Sequence, residues 1–306
     1  MKELVVLGDL CWDVYLGGMK SFPEMGVEVF ADDGSMKPGG SAANTAMILA
    51  MCDCPVSLYS VVGDDSAGRR IVQDLEQYGI ETGSIKYLYR QQTGFTVVLS
   101  YRAEQERMLV TSPGTLNKAR LKDFDPGCLK QGAHLHLSSY FIQSRLAPDV
   151  GKLLDLAKME GMTTSLDPGH DPEGLWDISA LLPFLENLDW FLPNKIEFMS
   201  IAGGNDLVRT MEKFAPELPG IVVKAGGEGA YLRHGDDNAI IHFPSQSVDV
   251  LDTTCAGDAF NAGFLMALSL GNSPEKAVVL GNRFGAACSS VMGLPCDKVF
   301  FRGLFS

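Results

Sequence analysis

The sequence predicts an α/β fold with a mostly parallel central sheet and helices on both faces. Short apolar runs typical of buried strands, such as residues 4–7 and 57–62, alternate with helical patterns along the chain. Two segments, residues 14–38 and 93–111, break this alternation with strand patterns alone, which predicts a small second sheet inserted in the core. The 306 residues suit one large domain with such an appendage, so we predict a single domain over residues 1–306.

The predicted elements follow in order from the local patterns. Their ranges are strand 4–7, helix 42–51, strand 57–62, helix 66–79, strand 133–137, helix 146–161, strand 162–166, strand 189–193, helix 259–270 and helix 273–291. The helix at 66–79 shows the basis: Ile71, Leu75 and Tyr78 share one face, and Gly79 is a typical stop. This order predicts parallel strands joined by helices.

The two strand-only segments carry short alternating runs. In the first, residues 27–31 alternate polar and apolar side chains, and in the second, residues 96–101 and 108–110 flank a charged turn. We therefore expect strands at each of these runs.

Composition narrows the choice of function and location. The formal net charge of −13 argues against nucleic acid or an anionic membrane as a partner. No apolar stretch reaches membrane-spanning length, and the apolar run at residues 4–8 is too short for a signal peptide. The seven cysteines are scattered and odd in number, so we expect reduced thiols and a cytoplasmic location.

Two groups of potential metal ligands are better explained without a metal. Cys52 and Cys54 are close, but no second Cys/His pair completes a zinc site. His134 and His136 alternate with leucines, and we interpret them as strand residues because two histidines without a third ligand are a weak metal signal.

The stretch at residues 252–260 is a loop that opens a helix. Such a loop aims backbone N–H groups at one point, where the helix dipole adds partial positive charge. This arrangement predicts an anion site suited to phosphate. Asp258 lies just inside it, either as a first-turn residue that stabilises the helix or as a base for a nucleophile that attacks the phosphate.

Two motifs carry a resemblance to a known family. The segment DTTCAGDAF at residues 252–260 resembles the C-terminal signature of the PfkB (ribokinase-like) carbohydrate kinases, which usually have glycine where this chain has Cys255. The segment GGSAANTA at residues 39–46 resembles a second signature of that family, and the two segments have the family's order and separation. The resemblance runs nearly end to end and implies a ribokinase-like three-layer α/β fold, with the small sheet as a lid over the sugar site. In the family this lid often forms a dimer interface, so the resemblance implies a homodimer as one option.

The resemblance also implies catalytic and sugar-binding residues. Asp258 would be the base, and the N–H groups of Cys255, Ala256 and Gly257 would form an anion hole. The residues implied for sugar binding are Asp13, Gly39, Gly40 and Asn44. A carboxylate and an amide suit sugar hydroxyls because they accept hydrogen bonds, and the amide also donates. The alternative for Asp13 is a solvated loop acid, and for Gly39-Gly40 a turn capped by Ser41.

Nucleotide and metal sites are implied in the C-terminal half. The residues near the nucleotide would be Asn194, Lys224, Gly226, Gly227, Gly229 and Asn282. Glu197 would hold Mg²⁺ through water, although Asn194 and Glu197 could equally form a helix capping box. A monovalent cation, K⁺, would be bound by the Asp252 side chain and by the carbonyl groups of Thr254, Cys288, Val291 and Gly293.

The sequence thus predicts an ATP- and Mg²⁺-dependent sugar kinase. Its substrate would be a small carbohydrate of the ribose, fructose or ketodeoxygluconate type. A nucleoside kinase of the same family is the alternative, because the motifs are shared. A non-catalytic sugar- or nucleotide-binding module is a third possibility, which Asp258 and Gly257 argue against. No Walker A pattern is present, so the chain is not a P-loop enzyme.

Overall fold

The computed structural model describes residues 3–21, 23–101, 106–235, 239–295 and 298–305. Counted over these residues, nine strands form the larger sheet: β1 Glu3–Leu7, β4 Val56–Gly63, β5 Ile85–Leu88, β8 Gly132–Leu137, β9 Thr163–Leu166, β10 Trp190–Phe191, β11 Gly220–Lys224, β12 Ala230–His234 and β13 Ile240–Phe243. Their order across the sheet is β13-β12-β11-β10-β9-β8-β1-β4-β5. Strands β5 to β11 in this order pair in parallel, and only β12 and β13 are antiparallel to their neighbours. The predicted fold class is confirmed.

Helices cover both faces of this sheet. They are α1 Ser41–Met51, α2 Ser66–Tyr78, α3 Val150–Met159, α4 Leu182–Leu185, α5 Lys195–Ala202, α6 Leu207–Lys213, α7 Ala256–Ser269, α8 Pro274–Ser289 and α9 Lys298–Arg302. Alternate residues of β1 face opposite ways: Leu4 and Val6 pack in the core with α1, α2, α7 and α8, while Val5 and Leu7 pack with α3 to α6. Strands buried on both sides must be apolar throughout, which explains the uninterrupted strand pattern.

Helix ends follow the local signals with two shifts at helix starts. Gly79 ends α2 in the left-handed conformation at φ 86, as its position after Tyr78 predicts. The helix predicted at 146–161 begins only at Val150, because Pro148 lies in a short 3₁₀ turn, Ala147–Asp149, and lacks a backbone N–H. Helix α7 starts at Ala256, three positions before the predicted apolar run, so Asp258 belongs to its first turn.

The second, smaller sheet is formed by β2 Cys11–Met19, β3 Asp33–Gly39, β6 Phe95–Tyr101 and β7 Glu106–Ser112, in the order β3-β2-β6-β7. It confirms a small sheet at the two strand-only segments, although β2 begins before residue 14. The run at residues 27–31, expected as a strand, is an irregular, mostly exposed connection between β2 and β3. Its alternating apolar side chains pack on no core and pair with no strand in the described part of the chain, so propensity alone does not make a strand there.

The two faces of the small sheet differ in polarity. Register places Lys37, Asp13, Thr96 and Thr111 in one row across the four strands. The next row, formed by Met36, Val14, Val97 and Val110, points to the opposite face because side chains alternate along a strand. The row that contains Asp13 is therefore polar, and the row on the opposite face is apolar.

The two histidines of β8 form part of a buried hydrogen-bond chain. The His134 ring bonds Thr163 Oγ1 and Ser165 Oγ, both at 2.7 Å, and His136 Nδ1 bonds the same serine at 2.7 Å. Burial lowers the pKa of His134 to about 3 and that of His136 to about 4, so both rings are neutral at pH 7. Both lie in a strand, as predicted.

None of the helices in the described part of the chain has the length and apolar character that crossing a lipid bilayer requires.

Arg233 is a buried cation that holds helix α6 to the sheet. Its side chain is 1% exposed, and its guanidinium donates to the carbonyl groups of Met211, Phe214 and Ala215 at 2.5, 2.6 and 3.0 Å. These carbonyls lie at or just after the C-terminal end of α6, where helix geometry leaves the last carbonyl groups of a helix short of backbone partners. The Ala215 carbonyl also accepts a hydrogen bond from the Leu218 N–H at 3.0 Å. The guanidinium fork satisfies several of them at once.

We predict that Arg233→Met destabilises the fold by about 3 kcal/mol or more, because the buried carbonyl groups lose their donors. Urea denaturation followed by circular dichroism measures the loss. The exposed Arg209 of α6 is the control, since Arg209→Met should change stability by no more than about 0.5 kcal/mol. Equal stability of the two variants would contradict this role of Arg233.

Candidate active site

The loop before α7 is held by the carboxylate of Asp252. Its Oδ1 accepts hydrogen bonds from the Thr254 N–H at 2.8 Å and the Thr254 hydroxyl at 2.6 Å, and its Oδ2 accepts from the Gly293 N–H at 2.9 Å. The thiol of Cys288 donates to the Thr254 carbonyl at 3.6 Å. Four of the residues predicted around a monovalent cation therefore meet at one junction. Val291 adjoins it through its N–H, which donates to the Cys288 carbonyl at 3.4 Å.

Cys255 turns the chain into α7 in a strained conformation. Its φ is 62 and its ψ is 1, a left-handed geometry that favours glycine and costs other residues about 1–2 kcal/mol. The N–H of Ala256 donates to the Thr253 carbonyl in a long 3.3 Å bond. The N–H groups of Cys255 and Gly257 make no backbone hydrogen bond with the described residues. The helix start therefore presents free donors, as a phosphate site requires.

Asp258 is anchored to the start of α1. Its Oδ1 accepts from the Ser41 hydroxyl at 2.5 Å, and its Oδ2 accepts from the Asn44 amide at 2.9 Å. Burial raises the pKa of Asp258 to about 7, against the lowering effect of these two hydrogen bonds. The group can therefore exchange a proton near neutral pH.

The start of α1 is capped by Asp9, not by Ser41. The N–H groups of Ser41 and Ala42 donate to the Asp9 carboxylate at 3.0 and 3.2 Å. The Ser41 hydroxyl is therefore free to bond Asp258. The sequence suggested Ser41 only as a cap and gave Asp9 no role. One signal for Asp9 was available in the sequence: it follows strand β1, and the C-terminal ends of parallel strands are where ligands bind.

The two glycines before α1 are required by close contacts. Gly40 has a φ of 94, and a Cβ there would lie 2.7 Å from the Asp9 carbonyl oxygen. A Cβ on Gly39 would lie 2.2 Å from the Asp13 carboxylate. The backbone therefore passes close to both aspartates, which larger residues would prevent.

Asp13 lies on the polar face of the small sheet. Its Oδ1 accepts a hydrogen bond from the Cys11 thiol at 3.6 Å. Burial raises the pKa of Asp13 to about 6, while the nearby charge of Lys37 lowers it. Lys37 is opposite Asp13 in the register, and its Nζ donates to the Leu294 carbonyl at 3.0 Å. The sequence assigned Lys37 no role, and its position beside Asp13 becomes visible only when β2 and β3 are paired.

A buried ion pair lies beneath the start of α7. Lys224 Nζ donates to Asp167 Oδ2 at 2.6 Å and to Asn261 Oδ1 at 3.1 Å, and the Asn261 amide donates to the same Asp167 oxygen at 2.6 Å. Although burial opposes it, the charge of Lys224 holds the pKa of Asp167 below its usual value. Lys224 was predicted near the nucleotide, but Asp167 and Asn261 were not. Asp167 had one sequence signal, its place directly after the predicted strand at 162–166.

Asn194 and Glu197 form the capping box at the start of α5. The Glu197 N–H donates to Asn194 Oδ1 at 2.9 Å, and the Asn194 N–H donates to Glu197 Oε2 at 2.8 Å. Burial, together with the charge of Asp167, raises the pKa of Glu197 to about 7. The carboxyl group faces the same cavity as Lys224. Its oxygens suit Mg²⁺, which prefers a carboxylate and retains several waters.

One cavity of about 710 Å³ joins these elements. Its lining includes the predicted residues Asn194, Glu197, Lys224, Gly226, Gly227, Gly229, Ala256, Gly257, Asp258 and Asn282. A Cβ on Gly226 or Gly227 would meet nothing within 4 Å, so this wall is open. The Asn282 amide donates to the Phe243 carbonyl at 3.0 Å and fixes the end of β13 at the cavity edge. The lining does not include the predicted sugar residues Asp13, Gly39, Gly40 and Asn44, although Asn44 contacts Asp258 directly.

Comparison with known proteins identifies the family of this chain. The model of the pfkB family carbohydrate kinases matches residues 1–294. The ATP-dependent ribose-1-phosphate kinase of Halopiger xanaduensis is 28% identical over 293 residues, which cover 94% of this chain and 91% of that protein.

Two solved structures share the fold. A putative ribokinase II from E. coli, in complex with ATP and Mg²⁺, superposes with a TM-score of 0.84 at 22% identity and covers 99% of both chains. The adenosine kinase from Sinorhizobium meliloti superposes with a TM-score of 0.82 at 20% identity and covers 99% of this chain and 98% of its own. With the family model matched over nearly the whole chain, the protein belongs to the pfkB family of carbohydrate kinases.

Proposed function

We propose that this protein transfers the γ-phosphate of ATP to a hydroxyl group of a small sugar. The observation that carries the proposal is the Asp258 carboxyl group. It lies at the start of α7, is held by Ser41 and Asn44, and has a pKa of about 7. A base with this pKa beside free N–H donors suits the attack of a hydroxyl on a phosphate.

The proposed step uses the chain's own groups in distinct roles. Asp258 accepts the proton of the sugar hydroxyl as its oxygen bonds the γ-phosphorus. The free N–H groups at the start of α7 stabilise charge on the transferred phosphoryl group. Asp13, Asn44 and the backbone at Gly39-Gly40 hold the sugar beyond Asp258, since Asn44 bonds the same carboxylate.

ATP and Mg²⁺ are proposed as donor and cofactor. Support comes from the open glycine wall at Gly226-Gly227 and from the E. coli relative, whose structure holds both. Mg²⁺, held near Glu197 through water, would neutralise phosphate charge. ATP use agrees with the cytoplasmic location predicted from the sequence.

A monovalent cation, K⁺, stays a prediction at the Asp252 junction. Both Asp252 oxygens already accept hydrogen bonds from the two loops. Backbone carbonyl groups would therefore supply most of the ligands, and carbonyl oxygens are ligands that suit K⁺.

A substrate panel tests the function, with Asp258→Asn as the matched variant. We expect wild-type protein to form ADP with a sugar or sugar phosphate. Asp258→Asn should lower kcat by roughly 10²–10⁴, because the base is lost while the shape is kept. Nucleosides belong in the panel because of the resemblance to adenosine kinase. Turnover of a nucleoside alone would make the protein a nucleoside kinase. Near wild-type kcat in a folded Asp258→Asn variant would contradict the mechanism.

The pKa of Asp258 predicts a pH profile. Below a pH of about 7 the carboxyl group holds its own proton, so kcat should fall about tenfold per pH unit there and level off above. The pKa of Glu197 is also about 7, so a Glu197→Gln variant separates the two groups. The acid limb should persist in Glu197→Gln. Its disappearance there would assign the limb to Glu197 instead.

We also propose that the small sheet is the lid and that its apolar face forms a homodimer. Met36 is 63% exposed and Val110 is 58% exposed, and both belong to the apolar row with Val14 and Val97. A four-stranded apolar face turned to water is a typical interaction surface. The polar face, which carries Asp13, would then cover the sugar.

Val110→Asp should convert the predicted dimer to a monomer, because a charge would be buried without a partner. Sedimentation velocity at micromolar concentration measures the change. Met159→Asp on α3 is the control, since Met159 is 82% exposed and lies on another element. A wild-type protein that sediments as a monomer would contradict the dimer.

A further inference from the structure

Asp167, Lys224 and Asn261 form a buried group in which every pair of side chains is hydrogen-bonded. Asp167 is 5% exposed, Lys224 is 9% exposed and Asn261 is 0% exposed. They come from the end of β9, the end of β11 and the middle of α7. Burying an ammonium ion is costly unless it is paired and hydrogen-bonded, so an arrangement of this kind needs a reason.

Asn261 fixes the ion pair in one orientation. Its Oδ1 accepts from Lys224 Nζ at 3.1 Å, while its Nδ2 donates to Asp167 Oδ2 at 2.6 Å. The same Asp167 oxygen accepts from Lys224 at 2.6 Å, which closes a three-membered ring of hydrogen bonds. The other Asp167 oxygen accepts from the Gly169 N–H at 2.9 Å. Lys224 Nζ is therefore held in place before any ligand binds.

One N–H of the ammonium group remains available. An ammonium has three donors, and Asp167 and Asn261 take two of them. The described residues offer the third donor no further hydrogen-bond partner. Lys224 Nζ lies 3.7 Å from the position that a Cβ on Gly257 would occupy, and both residues line the same cavity as Asp258. The free donor therefore lies next to the start of α7.

We propose that Lys224 is a catalytic residue whose third N–H binds an oxygen of the phosphoryl group during its transfer. The proposal rests on the proposed kinase function and deepens it. Asp167 and Asn261 are positioning residues that act through Lys224. The transferred group then meets the α7 N–H groups on one side and a fixed positive charge on the other.

Lys224 adds no bond-making or proton-transfer step to the proposed reaction. The sugar oxygen forms a bond to the γ-phosphorus, and its proton goes to Asp258. The bond from phosphorus to the β,γ-bridging oxygen breaks, and its electron pair leaves with ADP. Lys224 keeps its three protons and contributes charge alone. A charge fixed in advance in a site with little water stabilises the transition state without reorganisation.

Lys224→Met tests the proposal because it keeps length and removes charge. Kcat should fall about 10²–10³-fold, as for the loss of one pre-oriented donor, while the KM for ATP changes less than about threefold. Lys224→Arg restores the charge and should recover part of kcat. Asn261→Ala should lower kcat about tenfold with the KM for ATP unchanged. ADP affinity, measured by calorimetry, should stay within about threefold in every variant.

Because Lys224→Met leaves Asp167 buried without a partner, the double variant Asp167→Asn/Lys224→Met is the second test. It removes both charges, so the fold should be retained, and it should be as slow as Lys224→Met. Lys158→Met is the matched control, since it breaks the surface pair of Lys158 with Asp189 at 2.7 Å and should leave kcat unchanged.

Two results would overturn the proposal. One is a folded double variant with near wild-type kcat. The other is a Lys224→Met variant whose KM for ATP rises while kcat stays the same, which would make Lys224 a ground-state nucleotide contact. Either result leaves the kinase function in place, provided that Asp258→Asn still shows the predicted loss of kcat. Absence of turnover in the wild-type protein over the whole panel would overturn the function and this proposal together.

Discussion

The pair of hydrogen bonds from Ser41 and Asn44 to Asp258 is the contact on which the site depends. It joins the starts of α1 and α7, two helices that pack in the same core against one face of the large sheet. The Thr45 hydroxyl adds a 3.5 Å bond to the Asp258 carbonyl. The convergence of these two helix starts puts the anion site, the base and the proposed sugar contacts within one small volume.

Burial acts to raise the pKa of five carboxyl groups in the site, and the hydrogen-bond partners of each group decide whether its final pKa is raised or lowered. Asp9, Asp13, Glu197 and Asp258 all have raised pKa values, with burial as the largest cause. Asp167 is also buried, yet its pKa is lowered because Lys224 is hydrogen-bonded to it. A raised pKa increases the protonated share of a carboxyl group at a given pH, so such a group would repel a phosphate less than a fully ionised one.

The strained turn at Cys255 and the glycines before α1 have the same effect on the path of the backbone. Each lets the backbone approach a site where a ligand is proposed to bind, but only Cys255 is strained, because glycine adopts a positive φ without steric cost. Contacts around both turns hold them in place: Asp252 bonds the loop before Cys255, and Asp9 caps the helix after Gly40. Lys37 adds a link from the small sheet to the C-terminal loop at Leu294.

Local patterns in the sequence were enough to predict the α/β class, because each strand and helix is specified by the spacing of its own apolar residues. The resemblance of two contiguous signatures to the pfkB family added Asp258, Asn44 and the Gly39-Gly40 pair as predicted site residues. Local patterns failed at residues 27–31, where a strand pattern has no partner strand in the described part of the chain.

Only the tertiary structure decided the partners of these residues. Ser41 and Asp258 are 217 positions apart, and Asp167 and Asn261 are 94 apart. Lys224, at the end of β11, bonds both Asp167 and Asn261. No local pattern encodes such a meeting. It follows from the order of parallel strands, which brings their C-terminal ends to one edge of the sheet beside the starts of α1 and α7.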